Sequence, residues 1–454
     1  MPKKNIFDPY QLRPENIEDS PSTYWGIFRR IGPGLILASS IVGSGELIAT
    51  TVLGAENGYT LLWLIILSCF IKIIVQNELG RYAIATGETT LEAFNRIPGP
   101  RLGVSWLVWA WFLMVMFTLM QIGAMLGGIS EILNGLMPSV SIVSWVWIIN
   151  FLTVVLLITG RYWVVERVSM GLVISFTVLT VSSAFVMLKQ PQFFSWSEVL
   201  SGLSFHPPVG GLITAVAAFG ITGVGASELI VYPYWCIEKG YARFSGPRDE
   251  TLAWKLRASG WVRVMGVDVV NSMVIYTFAT IAFYFLGAGI LHEQGLTPKG
   301  SDMIRVLSNM FTQTLGTWSL PLFLGGAFAV LYSTIFAGTA ANCRVFADFT
   351  GMLKLYNKSD YAKRLFVTRI FVVILMFVPS LYFMFLQAPV LMVLIGGAAQ
   401  AIMLPIIGFA TLYLHYWHMP KQILPKHWIT VGLWISSIIM AFMMGYSFVQ
   451  RVFG

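Results

Sequence analysis

Two short stretches hold the residues best suited to chemistry. Val42-Gly43-Ser44-Gly45-Glu46-Leu47-Ile48 and Val224-Gly225-Ala226-Ser227-Glu228-Leu229-Ile230 agree at Val, Gly, Glu, Leu and Ile. Each sets Gly or Ser directly before a carboxylate within an apolar run. An interrupted helix frees carbonyls at one end and amide hydrogens at the next, and lipid penalises those groups unless a solute, ion or water satisfies them. Interruptions at corresponding positions of two halves point to the binding site of a secondary transporter. Glu46 and Glu228 are therefore expected to be cation ligands, direct or through water, with carbonyls around Gly43 and Gly225 completing the shell. Carboxylate, carbonyl and water suit Mg²⁺, Ca²⁺ or Mn²⁺. Close helix packing is the competing use of small residues in membranes. It explains Gly325-Gly326 better than two small-residue breaks each followed by Glu.

The elements that must position these acids are membrane spans. Of 454 residues 56% are hydrophobic and 11% charged, with a mean hydropathy of +0.74. Leu61–Ile74, Val104–Met120, Val143–Leu157, Ile370–Leu386 and Trp428–Met443 are long apolar runs without the alternation of a membrane barrel. With about 20 residues per span, eleven spans are predicted, roughly at 32–55, 59–82, 102–136, 142–160, 165–188, 210–234, 257–291, 316–346, 366–386, 389–414 and 427–449. The expected class is an all-α membrane protein with a leucine-transporter-like 5+5 inverted repeat and broken helices 1 and 6. Residues 1–30 form a cytoplasmic tail, 31–190 the first repeat, 208–415 the second, and 416–454 an additional helix 11.

Connections are too short for a sizeable soluble domain, and GxxxxGK[ST] is absent. The net charge of +8 reflects topology rather than nucleic-acid binding. With the N-terminus inside, only Lys189, Lys299, Arg305 and Arg451 fall at the outer side, against Lys239, Arg243, Arg248, Lys255 and Arg257 within. The location expected is the plasma (inner) membrane, multi-pass. The first thirty residues lack the apolar core of a secretory signal. Cys69, Cys236 and Cys343 share no metal-ligand spacing and suggest no disulfide framework. No nucleophile accompanies the carboxylates, so a carrier without cofactor is expected rather than an enzyme.

Gly32-Pro33-Gly34, Gly54-Ala55, Gly58-Tyr59, Leu61-Leu62-Trp63, Gln76 and Ile84-Ala85-Thr86-Gly87 resemble the start of the NRAMP family of proton-coupled divalent-metal transporters. Weaker likeness continues at Ser333-Thr334-Ile335, Gly338-Thr339, Thr368-Arg369 and Leu404-Pro405. The resemblance lays the family's helix 1 signature, Asp-Pro-Gly-Asn, on Gly43-Ser44-Gly45-Glu46. It lays Met-Pro-His-Asn of helix 6 on Gly225-Ala226-Ser227-Glu228. The helix 10 Gln ligand falls on Gly397, with Gln400 one turn away. The soft thioether, which selects transition metals, is thereby replaced by Gly225, and the proton-linked His by Ser227. Glycine in place of Asp, Met and Gln implies a widened cavity, and Mg²⁺ keeping several waters suits two carboxylates.

The Gly43-Ser44-Gly45 break also looks like that of amino-acid permeases, which makes a small amine or amino acid the alternative substrate. Asp268 and Asn271, one turn apart, and Glu131 are candidates for an ion or proton path. Arg369 joins them because the NRAMP resemblance implies an arginine there. Protons are a further candidate partner beside lipid and the transported cation. Glu78 and Arg81 form an interfacial pair, no histidine is a good mid-membrane proton carrier, and Tyr24, Trp25, Trp163, Trp196 and Trp428 resemble an interfacial belt.

Overall fold

The computed structural model describes residues 8–159, 163–208 and 211–453. Helices α1 (Tyr24–Arg30) and α2 (Pro33–Ile41) open the chain, with Pro33 at the first helical position, where its missing N–H costs nothing. α2 continues through a π-wound stretch, Val42–Thr50, into α3 (Thr51–Asn57). Gly58, with φ 56°, ends α3 and leads through a short turn to α4 (Leu62–Thr86). α5 (Thr90–Asn95) is a single turn closed by a Thr89–Glu92 capping box. α6 (Trp106–Leu136), α7 (Ile142–Thr159), α8 (Trp163–Met187) and the short α9 (Trp196–Ser201) complete the first half.

In the second half, α10 (Leu212–Ile221) and α11 (Ala226–Lys239) are separated by a bend, and α12 (Tyr241–Ser245) follows. α13 (Leu252–Leu286), capped by Thr251, ends in a π turn, Gly287–Leu291. α14 (Met303–Leu315), α15 (Leu320–Met352), α16 (Tyr361–Leu386), α17 (Pro389–Trp417) and α18 (His427–Phe453) close the chain. The sheet content of the described residues is a two-residue antiparallel pairing of Arg101–Leu102 with Val104–Ser105.

Among the described residues, nine stretches are long and apolar enough to span. One of them, Ile36–Thr86, has 51 residues. At 1.5 Å per residue it is more than twice the bilayer core, so it carries two spans that meet at Gly58. The apolar stretch Gly171–Met187 of α8 supplies the remaining position. Each of the eleven predicted spans therefore finds a helix, or for 210–234 a pair of helices, among the described residues. Tyr24, Trp25, Trp196 and Trp428 are exposed, as a belt requires, while the Trp163 side chain lies outside the described residues.

The expectation of two broken helices meets a difference. Helix 6 is interrupted, but helix 1 is not: Val42–Thr50 winds as π-helix and keeps its backbone hydrogen bonds internal. The physical reason is the neighbour. A Cβ on Gly43 would lie 2.2 Å from the Thr334 hydroxyl of α15, so Gly43 serves a close approach instead of releasing backbone. α10 and α17 cross as tightly: a Cβ on Gly220 would lie 2.1 Å from the Gly397 carbonyl.

Candidate functional site

The backbone opens at Thr222–Gly225, between α10 and α11. Gly223 sits there at φ 69°, in the left-handed region. Side chains from three other helices take up the freed groups. On the carbonyl side, the negative end of the α10 dipole, Lys72 of α4 donates to the Phe219 and Thr222 carbonyls at 2.5 and 2.7 Å. Ser68, one turn earlier, donates to the same two at 3.3 and 3.1 Å. On the amide side, Gln400 Oε1 of α17 accepts from the Ser227 N–H at 2.9 Å. Gln400 Nε2 donates in turn to Gln121 Oε1 of α6 at 3.2 Å.

Glu228 stands in the first turn of α11, where the positive dipole end favours a carboxylate. Its Oε2 would be 2.4 Å from a Cβ on Gly225, so the glycine makes room for the acid of its own helix. Glu46 is fully buried and faces the bend. Its Oε1 accepts from the Gly223 N–H at 3.2 Å and from the Thr280 hydroxyl of α13 at 2.8 Å, while Oε2 has no hydrogen-bond partner among the described residues. Glu46 thus ties the π-wound stretch to the bend and to α13. Lys72 lies within electrostatic reach of both acids.

A cavity of about 40 Å³ lies beside the bend. Ser44 and Gly45 face it from helix 1, Ser227 and Glu228 from α11, and Gln400 from α17. Thr118, Gln121 and Met125 of α6 and Thr334, Gly338 and Asn342 of α15 form the other wall. Glu228 is the ionisable group among the lining residues, and Glu46 is not part of the lining. A water needs about 10–15 Å³ of such space, so the cavity admits an ion with a few waters. Glycine at the three ligand positions does not widen it. The volume at Gly43 is filled by Thr334, at Gly225 by Glu228 and Gln400, and at Gly397 by the Ala217 backbone, 2.7 Å from a Cβ there.

The other sequence candidates lie apart from the cavity. Asp268 accepts from the Gly32 and Gly34 N–H groups at 3.0 and 2.5 Å and from the Tyr232 hydroxyl at 3.2 Å, which makes it the N-terminal cap of α2. Asn271, half-buried on the next turn, leaves its Nδ2 without a hydrogen-bond partner among the described residues. Glu131 accepts from the Ile304 N–H at 3.3 Å at the start of α14. Arg369 is exposed; the arginine that α16 buries is Arg364, 3.8 Å from Asp348. Glu78 and Arg81 pair at 2.9 Å. The three cysteines are free and buried, and no group of three or more His, Cys, Asp or Glu is clustered for a metal among the described residues.

Sequence reasoning passed over Lys72, Gln121, Thr280 and Asn342, and met Thr334 only as part of the family likeness. Lys72 alone carried a signal, because a lysine inside the apolar run Leu61–Ile74 is costly and usually functional. The rest are ordinary polar residues whose importance depends on tertiary position.

The fold is that of a multi-pass membrane transporter of the leucine-transporter-like class. It superposes on the inward-facing conformation of Mhp1, a nucleobase-cation-symport-1 family transporter, with a TM-score of 0.54 at 15% identity over 96% of this chain and 94% of the other. A manganese transporter of Eremococcus coleocola, solved with an aromatic bis-isothiourea substituted compound, aligns with a TM-score of 0.66 at 18% identity over 95% and 90% of the two chains. The sequence model of the natural resistance-associated macrophage protein-like family matches residues 34–450, and the chain belongs to this Nramp family. An uncharacterised protein of Pasteurella multocida is 25% identical over 340 residues, 74% of this chain and 73% of that protein. The divalent metal cation transporter MntH of Chromohalobacter salexigens is 23% identical over 324 residues, 68% of this chain and 69% of that one.

Proposed function

We propose that the chain carries a divalent cation, Mg²⁺ or Mn²⁺, through the membrane and holds it partly hydrated beside Glu228. The observation that carries this reading is one ionisable group, Glu228, beside Ser, Thr, Asn and Gln side chains on an otherwise apolar cavity of about 40 Å³ at the helix 6 bend. The names of the MntH and manganese-transporter relatives support the same class of substrate. Glu46 acts behind this shell: it fixes the bend through Gly223 and carries the proton that accompanies the metal on its unpartnered Oε2. Pockets for organic ligands measure about 300 Å³ or more, so the cavity size favours an ion over an amine or amino acid. Met125 on the wall keeps a soft ligand within reach and so keeps Mn²⁺ beside Mg²⁺.

Transport proceeds by alternating access, with helices 1, 2, 6 and 7 moving against helices 3, 4, 8 and 9. The N-terminus lies on the cytoplasmic side of the plasma membrane, as the lysine and arginine distribution favours. The test is uptake of Mg²⁺ and Mn²⁺ into proteoliposomes. Glu228→Gln is expected to lower uptake at least tenfold, about 1.4 kcal/mol, and Glu46→Gln to abolish its dependence on a pH gradient. Unchanged rate and affinity in Glu228→Gln contradicts the assignment.

A further inference from the structure

The third ionisable group at the bend, Lys72, has no part in that account. Lys72 is fully buried and does not line the cavity. Its Nζ is 2.5 and 2.7 Å from two backbone carbonyls and 5.2 Å from the centroid of the Phe219 ring, and both Glu46 and Glu228 attract it. The Ser68 hydroxyl sits at the same two carbonyls. Each of these groups favours a cation: main-chain oxygens at a helix C-terminal end, an aromatic face and nearby carboxylates. Unwound carbonyls and half-helix C-terminal ends are also what transporters of this architecture offer to a small coupling ion.

We propose that the Lys72 ammonium is a resident cation that fills a carbonyl cradle at the end of α10, so that no free sodium or potassium ion is bound there. Burying an ammonium is costly unless its surroundings offset the lost hydration, and a site built for a monovalent cation does so. In the proposed transport function, which this inference deepens, the substrate ion then has the Glu228 cavity to itself, and the second positive charge moves with the protein.

Removing the lysine should reopen the cradle to small cations, an effect that a plain helix cap would not produce. The purified full chain and Lys72→Ala are melted in choline chloride, then with added sodium, potassium or ethylammonium chloride. The variant is expected to melt below the parent in choline and to gain a saturable rise of a few degrees from at least one of the added cations, while the parent gains none. A saturable sodium or potassium response in the parent overturns the proposal, because the cradle would then be open beside the lysine. Identical melting of the variant in all four salts overturns it as well, leaving Lys72 as a cap. If Lys72→Ala yields no folded protein, Lys72→Gln is melted in the same salts and read in the same way. No divalent metal enters this assay, so failure of the carrier reading appears separately, in the uptake experiment.

Discussion

At the residue scale the two repeat-related acids do different jobs. Glu228 faces the cavity, and Glu46 faces the bend with one oxygen bonded twice and the other unpaired. Gln400 joins the cavity to the backbone, since it accepts from the Ser227 N–H. Gln400→Leu leaves that buried amide without an acceptor at a cost of about 1–3 kcal/mol; a fall of several degrees in the melting temperature is expected, and an unchanged melt would show that water replaces it. Met125→Leu removes the thioether from the wall and should shift uptake towards Mg²⁺ when Mg²⁺ and Mn²⁺ compete, whereas an unaltered ratio would mean that the sulfur never touches the ion. Both acids were readable from sequence because Glu is scarce in apolar spans and the repeat aligns them. Their different orientations were not, since Thr280 and Gly223 reach Glu46 only in the folded chain.

At the scale of elements, glycine has two uses that look alike in sequence. Gly225 belongs to an interrupted helix, while Gly43, at the matching position of the first repeat, lies in a continuous π-wound one against Thr334. Which use applies depends on what packs opposite, and that information lies in α15, far along the chain. The eleven spans themselves follow from hydropathy, because lipid leaves the backbone no alternative. At the α10–α17 crossing, Gly220→Ala drives a methyl against the Gly397 carbonyl, which cannot yield as a side chain would. A loss of about 1–3 kcal/mol is expected, read as a lower melting temperature. Gly445→Ala, with nothing within 4 Å, serves as the neutral control; equal melting of the two variants would refute the packing role.

At the scale of the whole molecule, a polar network joins the two groups of helices at the end near the N-terminal segment. Glu238 of α11 pairs with Arg344 of α15 at 2.9 Å and accepts from the Tyr10 hydroxyl at 2.7 Å. Asp348 of α15 accepts from the Tyr234 hydroxyl of α11 at 2.7 Å and from Thr89 at 2.5 Å, and pairs with Lys358 at 2.5 Å. Burial works against the Lys358 charge, but Asp348 and Glu92 outweigh it and hold the ammonium above the usual lysine range. In the proposed alternating access, a motion of α11 against α15 breaks these bonds, so the network would hold this end closed. Glu238→Gln should loosen it and raise the rate at which N-ethylmaleimide alkylates buried Cys343, followed by peptide mass spectrometry; an unchanged rate would place the moving boundary elsewhere. None of this network was readable from sequence, because its members are scattered from Tyr10 to Arg364.

The central claim is that Glu228 holds a divalent cation in the cavity beside the helix 6 bend. Calorimetric titration of the purified chain with MnCl₂ and MgCl₂, repeated on Glu228→Gln protein shown by melting to be folded, tests it most directly. Saturable binding by the parent, weakened at least tenfold in the variant, is the predicted result. Equal affinity in the two proteins would contradict it.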